Sequence, residues 1–457
     1  MARIGEHAVV LGASMGGLLA ARVLTDFYDR VTVVERDELT DLPDARRGVP
    51  QGRQPHVLLA RCGQVMEELF PGILDDLIAE GAHRWSDGDL TRFHVFFGGH
   101  LIKHSGAIPQ PAALVNHYAS RPFIECHVRR RVRALPTVTM LDGHEIGEPI
   151  ATGQRITGVT VLDRSGGVAR TLSADLVIDA TGRGSRTPAF LDRLGYGRPR
   201  EDELTVRVAY ASMPARIPDG TLHEHVIARL FEPGRPRGFV MFRCEKDTWV
   251  IGAGTLGGLA PPTNRADLVD FGAEFVPAHA LAAMREAEPL ADVSVHQFPA
   301  NRWRRYDQMS RLPDGLVVVG DAVCSFNPIY GQGMTIASIE SLILRDCLRQ
   351  GDDELPRRFA RAAAKKIRLA WQTAVGSDLA LPEVAGNRTL SVRLTNALVD
   401  RILAAAESDP YVVQQFMRVT GMLDGPIRLL RPNFVYHVAR ASRRRRLQPR
   451  SEAVGVS

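Results

Sequence analysis

Three segments of the chain carry residue types whose spacing could do chemistry. The first, Gly12-Ala13-Ser14-Met15-Gly16-Gly17, follows an apolar run and opens a helical one. Small residues at such a strand-to-helix turn let the backbone approach a diphosphate, whose charge is received by the first amides of the helix. The dinucleotide pattern G-x-G-x-x-G has Ser14 where its middle glycine would stand. The same letters spell G-x-S-x-G, Gly12 to Gly16, the nucleophile elbow of serine hydrolases, which needs the same local context. Position and partners separate the two readings. An elbow needs an earlier oxyanion loop, and eleven residues precede Gly12. A dinucleotide site needs an acidic residue about 20 positions on, at the end of the second strand, for a ribose hydroxyl. Glu35, closing Val31-Thr32-Val33-Val34-Glu35-Arg36, stands there, and dinucleotide binding is the reading adopted.

The second segment runs Gly315-Leu316-Val317-Val318-Val319-Gly320-Asp321 and continues to Asn327-Pro328-Ile329-Tyr330-Gly331-Gln332-Gly333-Met334. An apolar strand delivers an Asp at its carboxyl end, where α/β sheets bind ligands. The glycines after it start a helix whose positive end favours an anionic ring. The third segment, Asp175 to Arg186, contains Asp179-Ala180-Thr181-Gly182-Arg183-Gly184-Ser185, a strand ending in a tight turn.

In this order the three segments resemble the FAD-dependent aromatic-hydroxylase-type (group A) flavoprotein monooxygenases, over about residues 7–345. Arg46-Arg47-Gly48-Val49-Pro50-Gln51, Ala180 to Ser185 and Phe326 to Gly333 are similar to an actinobacterial polyketide epoxidase-like branch. That branch also resembles FAD-containing decalin-forming cyclases. The resemblance implies non-covalent FAD, with Glu35 and Arg36 at the adenosine ribose and the amides of Gly12, Ser14, Met15, Gly16 and Gly17 at the diphosphate. It further implies Arg46 and Arg121 facing the cofactor, Asp321 at the ribityl hydroxyls, and Pro328, Gly331, Gln332, Gly333 and Met334 at the isoalloxazine. Two positions depart from the family: Thr181-Gly182 replaces the usual Asp-Gly, and Val323-Cys324 the usual Ala-His. The Asp-Gly aspartate is tied to NADPH handling, so NADPH and a reductase partner both remain as electron sources.

The activity implied is oxygen transfer from a flavin C4a-hydroperoxide, formed with O₂, to an apolar natural-product intermediate such as a polyene polyketide. The alternative is a non-redox cyclase making a decalin by cycloaddition around a structural flavin. In both the cofactor or the pocket does the work, and no catalytic side chain is assigned. Phe96, Tyr210, Phe242 and Phe298 are expected to line an apolar substrate cleft. His94, His100 and His104 have no carboxylate near them in sequence, and no metal site is assigned.

The elements that must position these groups are legible as periodicity. Strands are expected at 7–11 and 31–35 with a helix at 16–26 between them, a βαβ start that implies a parallel sheet. An amphipathic helix is expected at 57–69, two strands flank a turn at Gly166-Gly167, and another strand covers 176–180. Residues 205–254 read as β-rich, with strands at 206–210, 226–231, 238–242 and 249–252. A strand at 316–319 and a helix at 333–349 follow, and everything after residue 355 has helical spacing. The fold expected is α/β. A Rossmann-like FAD-binding domain of the glutathione-reductase type (residues 1–90, 115–200 and 300–350) carries an inserted mixed β-sheet substrate domain (91–114 and 201–299). A helical C-terminal region (351–457) ends in a solvated basic tail, Arg443 to Arg446.

Composition limits the alternatives. The 457 residues include 57 Lys and Arg against 52 Asp and Glu, a net charge of +5 that is too weak for a nucleic-acid binder. A hydrophobic content of 45% and charged content of 24% exclude disordered and fibrous classes. Five unpaired-looking cysteines argue against a disulfide framework. With no long apolar run and no signal-like start, a cytoplasmic protein without a membrane span is expected.

Overall fold

A computed structural model describes residues 3–447. Its centre is a five-stranded parallel sheet in the order Leu316–Val318, Leu176–Asp179, Gly5–Leu11, Tyr28–Val34, Val138–Leu141. The strand Gly5–Leu11 has neighbours on both sides, Ala8 standing opposite Val31 on one and Leu176 on the other. A strand covered on both faces must be apolar throughout, which is why Ala8 to Leu11 and Leu176 to Ile178 read as unbroken runs.

Five helices matter for the site: α1 (Met15–Leu24), α2 (Arg121–Arg133), α3 (Gly333–Leu348), α4 (Leu355–Asp378) and α5 (Leu390–Ala406). Helix α1 packs against both α2 and α3, so the glycine turn, Arg121 and the Gly331–Met334 segment converge. Ser120 starts α2 by accepting from the Phe123 amide at 3.3 Å, with Pro122 in the first turn where no amide hydrogen is needed. Helix α4 buries Phe359, Ala363, Ile367, Ala370 and Ala374 at helical spacing against α3 and the strand Leu316–Val318.

The second large sheet is mixed. Its order is Cys324–Ser325, Ser294–Arg304, Glu201–Arg216, Thr248–Thr255, Arg237–Arg243, Val226–Arg229, Phe93–Phe97, His100–Leu101. All neighbours are antiparallel except Val226–Arg229 with Phe93–Phe97. The strand at 206–210 is longer than expected, and Ser294–Arg304 was not anticipated because Ser, His, Gln, Asn and Arg interrupt its alternation. The turn at Gly166-Gly167 joins Arg155–Asp163 to Ala169–Ser173 as expected.

Two expectations are corrected. The basic run from Arg443 is not a tail after the last helix but lies within the helix Pro432–Leu447. His100, expected to be remote from carboxylates, meets Asp400 at 3.0 Å and Glu407 at 2.7 Å, both brought by α5 and the turn after it. All five cysteines are free and buried. Among the described residues no helix is long and apolar enough to cross a membrane.

Candidate functional site

A cavity of about 960 Å³ lies between the carboxyl ends of the parallel strands and one face of the mixed sheet. Gly12, Glu35, Ala180 and Asp321 line it, each just beyond the end of a parallel strand, where open α/β sheets bind ligands.

Backbone geometry explains the glycine turn. Gly12 has φ +103°, and a Cβ on it would stand 2.7 Å from the Ala180 carbonyl oxygen. A Cβ on Gly17 would lie 1.9 Å from the Gly12 oxygen. Gly17 therefore does not border the cavity; it lets α1 start against the turn. Ser14 is the N-cap residue of α1, yet its side chain makes no capping bond, which leaves the first amides of the helix available to a ligand. The Ser14 hydroxyl donates to Glu125 Oε2 at 3.1 Å and accepts from Arg121 Nη2 at 2.8 Å. No histidine is among its partners, and the elbow reading has no base there.

A buried ionic chain braces this turn from behind. Arg46 reaches Glu35 Oε2 at 2.9 Å, Glu125 Oε1 at 2.8 Å and the Ala13 carbonyl at 2.8 Å. Burial opposes its charge, but Glu125 and Glu35 outweigh burial and raise its pKa. Arg46 is thus a brace and does not line the cavity, whereas Arg47 does. Glu35 also accepts from the Ala13 amide at 2.8 Å and the Arg36 amide at 2.8 Å. Glu125, one helical turn after Arg121, was missed by sequence reasoning. The i, i+4 spacing on α2 was the available signal.

Asp321 lines the cavity, and burial pushes its carboxyl up against the opposing influence of Arg121 and Arg183. Beneath it Glu340 of α3 accepts from the Gly320 amide at 2.6 Å, and burial raises its pKa to about 8. The loop after it is fixed by a buried polar cluster. Asp378, the last residue of α4, accepts from Asn327 Nδ2 at 2.9 Å, Tyr330 OH at 2.7 Å and Asn301 Nδ2 at 2.7 Å. Tyr210 OH donates to Asn327 Oδ1. Pro328, Gly331, Gly333 and Met334 border the cavity; Gln332 does not, because its amide turns away to the Thr420 carbonyl at 2.8 Å. No side chain caps α3, so its first amides are open too.

At the other end the lining is apolar. Tyr210, Phe242 and Phe298 contribute, with Arg183 stacked 4.3 Å over the Phe298 ring. Phe96 does not: side chains alternate along the strand Phe93–Phe97, so Val95 faces the cavity and Phe96 the other side, 4.5 Å beneath Arg229.

The residues present fit FAD. Two uncapped helix starts and a carboxylate at the second strand suit its diphosphate and ribose. A half-buried carboxyl suits a polyol chain, and the Arg121 Nε, buried without a partner, is a donor awaiting an acceptor. The Thr181 amide and hydroxyl both donate to Asp179 Oδ1, at 2.9 and 2.6 Å, so the family's Asp-Gly position is neutral here and turned into the fold.

No family model matches the chain. It is 37% identical over 435 residues to Protein Rv3254 of Mycobacterium tuberculosis, covering 92% of this chain and 90% of that one. It is 27% identical over 431 residues to kynurenine 3-monooxygenase of Salinispora tropica, covering 88% and 86%. The fold is that of the flavin-dependent brominase Bmp2, with a TM-score of 0.66 at 14% identity, covering 97% of this chain and 100% of that one.

Proposed function

The chain belongs to the same family as Protein Rv3254, and we propose that it is an FAD-dependent monooxygenase that oxygenates an apolar natural-product intermediate, such as a polyene polyketide, by epoxidation or hydroxylation. One observation carries this reading. A single cavity runs from the nucleotide-binding strand ends to an apolar face of the mixed sheet, so cofactor and substrate share one enclosure. Bound FAD supplies the oxygen-activating redox chemistry.

The side chains do the rest. The α1 amides hold the diphosphate, Glu35 the ribose and Asp321 the ribityl hydroxyls. The uncapped start of α3 borders the cavity and would favour negative charge on a ring system bound there. The mixed sheet would line the substrate end with Tyr210, Phe242 and Phe298, an apolar wall that disfavours water there. Asp378 positions the 327–331 loop without touching the ligand. Residues 1–90, 115–200 and 300–350 would then serve the cofactor, and 91–114 with 201–299 the substrate.

The second reading, a cyclase around a structural flavin, fits Thr181, a neutral residue at the position where the aspartate tied to NADPH handling would stand. Incubation with candidate intermediates, O₂ and NADPH or a reductase distinguishes them by product mass. A monooxygenase product gains one oxygen atom, and a cyclase product is isomeric with its substrate.

A further inference from the structure

One polar group at the apolar end of the cavity has no task in this scheme. His56 lines the cavity, and its Nδ1 lies 2.7 Å from the Gln54 carbonyl oxygen. A carbonyl only accepts, so Nδ1 carries the ring hydrogen and Nε2 is left as a bare acceptor. Burial, reinforced by Arg121, pushes the imidazole pKa down to about 3, so the ring is neutral around pH 7. No described residue donates to Nε2. The flanking residues anchor the ring at the sheet: Val57 packs against the apolar cluster that contains Val226 and Ala228, and Pro55 lies 3.2 Å from where a Cβ on Gly252 would stand.

The unpartnered atoms elsewhere on the cavity, Gln54 Nε2, Arg121 Nε, Arg183 Nη1 and Arg229 Nε, are all donors, so none duplicates an acceptor at His56. Tyr210 and Tyr330 direct their hydroxyl hydrogens to Asn327 and Asp378. His296, also on the cavity, sits near Arg183 and has no hydrogen bond that sets its tautomer.

We infer that His56 is a specificity-determining residue whose Nε2 accepts a hydrogen bond from a hydroxyl group on an otherwise apolar substrate. The inference rests on the reading of the sheet-lined end as the substrate pocket. A ligand without a donor would desolvate Nε2 and leave it unpaired, which disfavours that ligand relative to one that satisfies it. A purely hydrocarbon polyene segment would therefore bind less tightly at this position than a hydroxylated one.

The test uses purified FAD-loaded protein and two probes of nearly equal shape, 1-naphthol and its methyl ether, with binding read from the change in flavin absorbance. The naphthol is expected to bind about five- to tenfold more tightly, the value of one neutral hydrogen bond. The preference should vanish in His56→Phe and persist in His56→Gln, whose side-chain oxygen can replace Nε2. FAD content, read from the absorbance of each variant, should match the parent. Equal affinities in the parent protein, or a preference that survives in His56→Phe, would overturn the role of His56 and leave the pocket reading intact. Failure of both probes to perturb the flavin would overturn the pocket reading, and the inference with it.

Discussion

Asp378 Oδ1 and Asn327 Nδ2 lie 2.9 Å apart across 51 residues of sequence. Through this bond the end of α4 holds the loop that leads into Gly331 and α3. Asp378 is fully buried and accepts from Asn301 and Tyr330 as well. The C-terminal helical region therefore braces, from behind, the loop that borders the cavity.

Asp378→Ala should leave Asn301, Asn327 and Tyr330 with buried donors and no acceptor. Each such loss costs about 1–3 kcal/mol when unrelieved. The variant is expected to melt several degrees lower and to bind FAD at least tenfold more weakly, measured by quenching of free-flavin fluorescence on titration. Unchanged FAD affinity would detach this cluster from the site.

Arg46→Met should strand Glu35 as a buried carboxylate without its cation and leave Glu125 only the longer pair to Arg121 at 3.7 Å. Removing one partner of a buried ion pair costs about 3–5 kcal/mol. Thermal melting should show the loss, and FAD content should fall because the Ala13 carbonyl and Glu35 are no longer held. An Arg46→Lys variant can keep the charge but not contact both carboxylates and the carbonyl together, and is expected to fall between the two.

Glu340 gives stability a pH dependence with a definite sign. Its folded pKa is raised from the usual carboxyl range to about 8, chiefly by burial. Between those values the folded state holds a proton that the unfolded state has released, so this group's contribution to stability falls as pH rises. Glu340→Gln removes the titration and keeps an oxygen for the Gly320 amide. The variant is expected to melt higher than the parent at pH 8 and close to it at pH 5. A parallel pH dependence in both proteins would contradict the assignment.

The turn-forming residues were legible in sequence because backbone geometry dictates them. Gly12 at φ +103° and Gly17 against the Gly12 carbonyl admit no side chain, and Glu35 and Asp321 follow from where parallel strands end. Glu125, Asp378, Glu340 and His56 were not legible, since each acquires its meaning from a neighbour distant in the chain. Arg46 and Gln332 were placed near the cofactor by pattern alone, which does not distinguish a lining residue from a brace behind it. Phe96 shows the limit of strand patterns: a one-residue difference in register exchanges Val95 for its neighbour. Ser294–Arg304 escaped notice because its polar residues alternate with no single face, although it supplies His296 and Phe298 to the cavity.

The most direct test of oxygenation is mass spectrometry of the product formed under heavy-isotope O₂ by the FAD-loaded protein, supplied with NADPH or a reductase and an apolar hydroxylated polyketide intermediate. The expected result is a product heavier than its substrate by one labelled oxygen atom, formed only when O₂ is present. A product isomeric with its substrate, formed equally well without O₂, would contradict the monooxygenase reading and support a cyclase on the same scaffold.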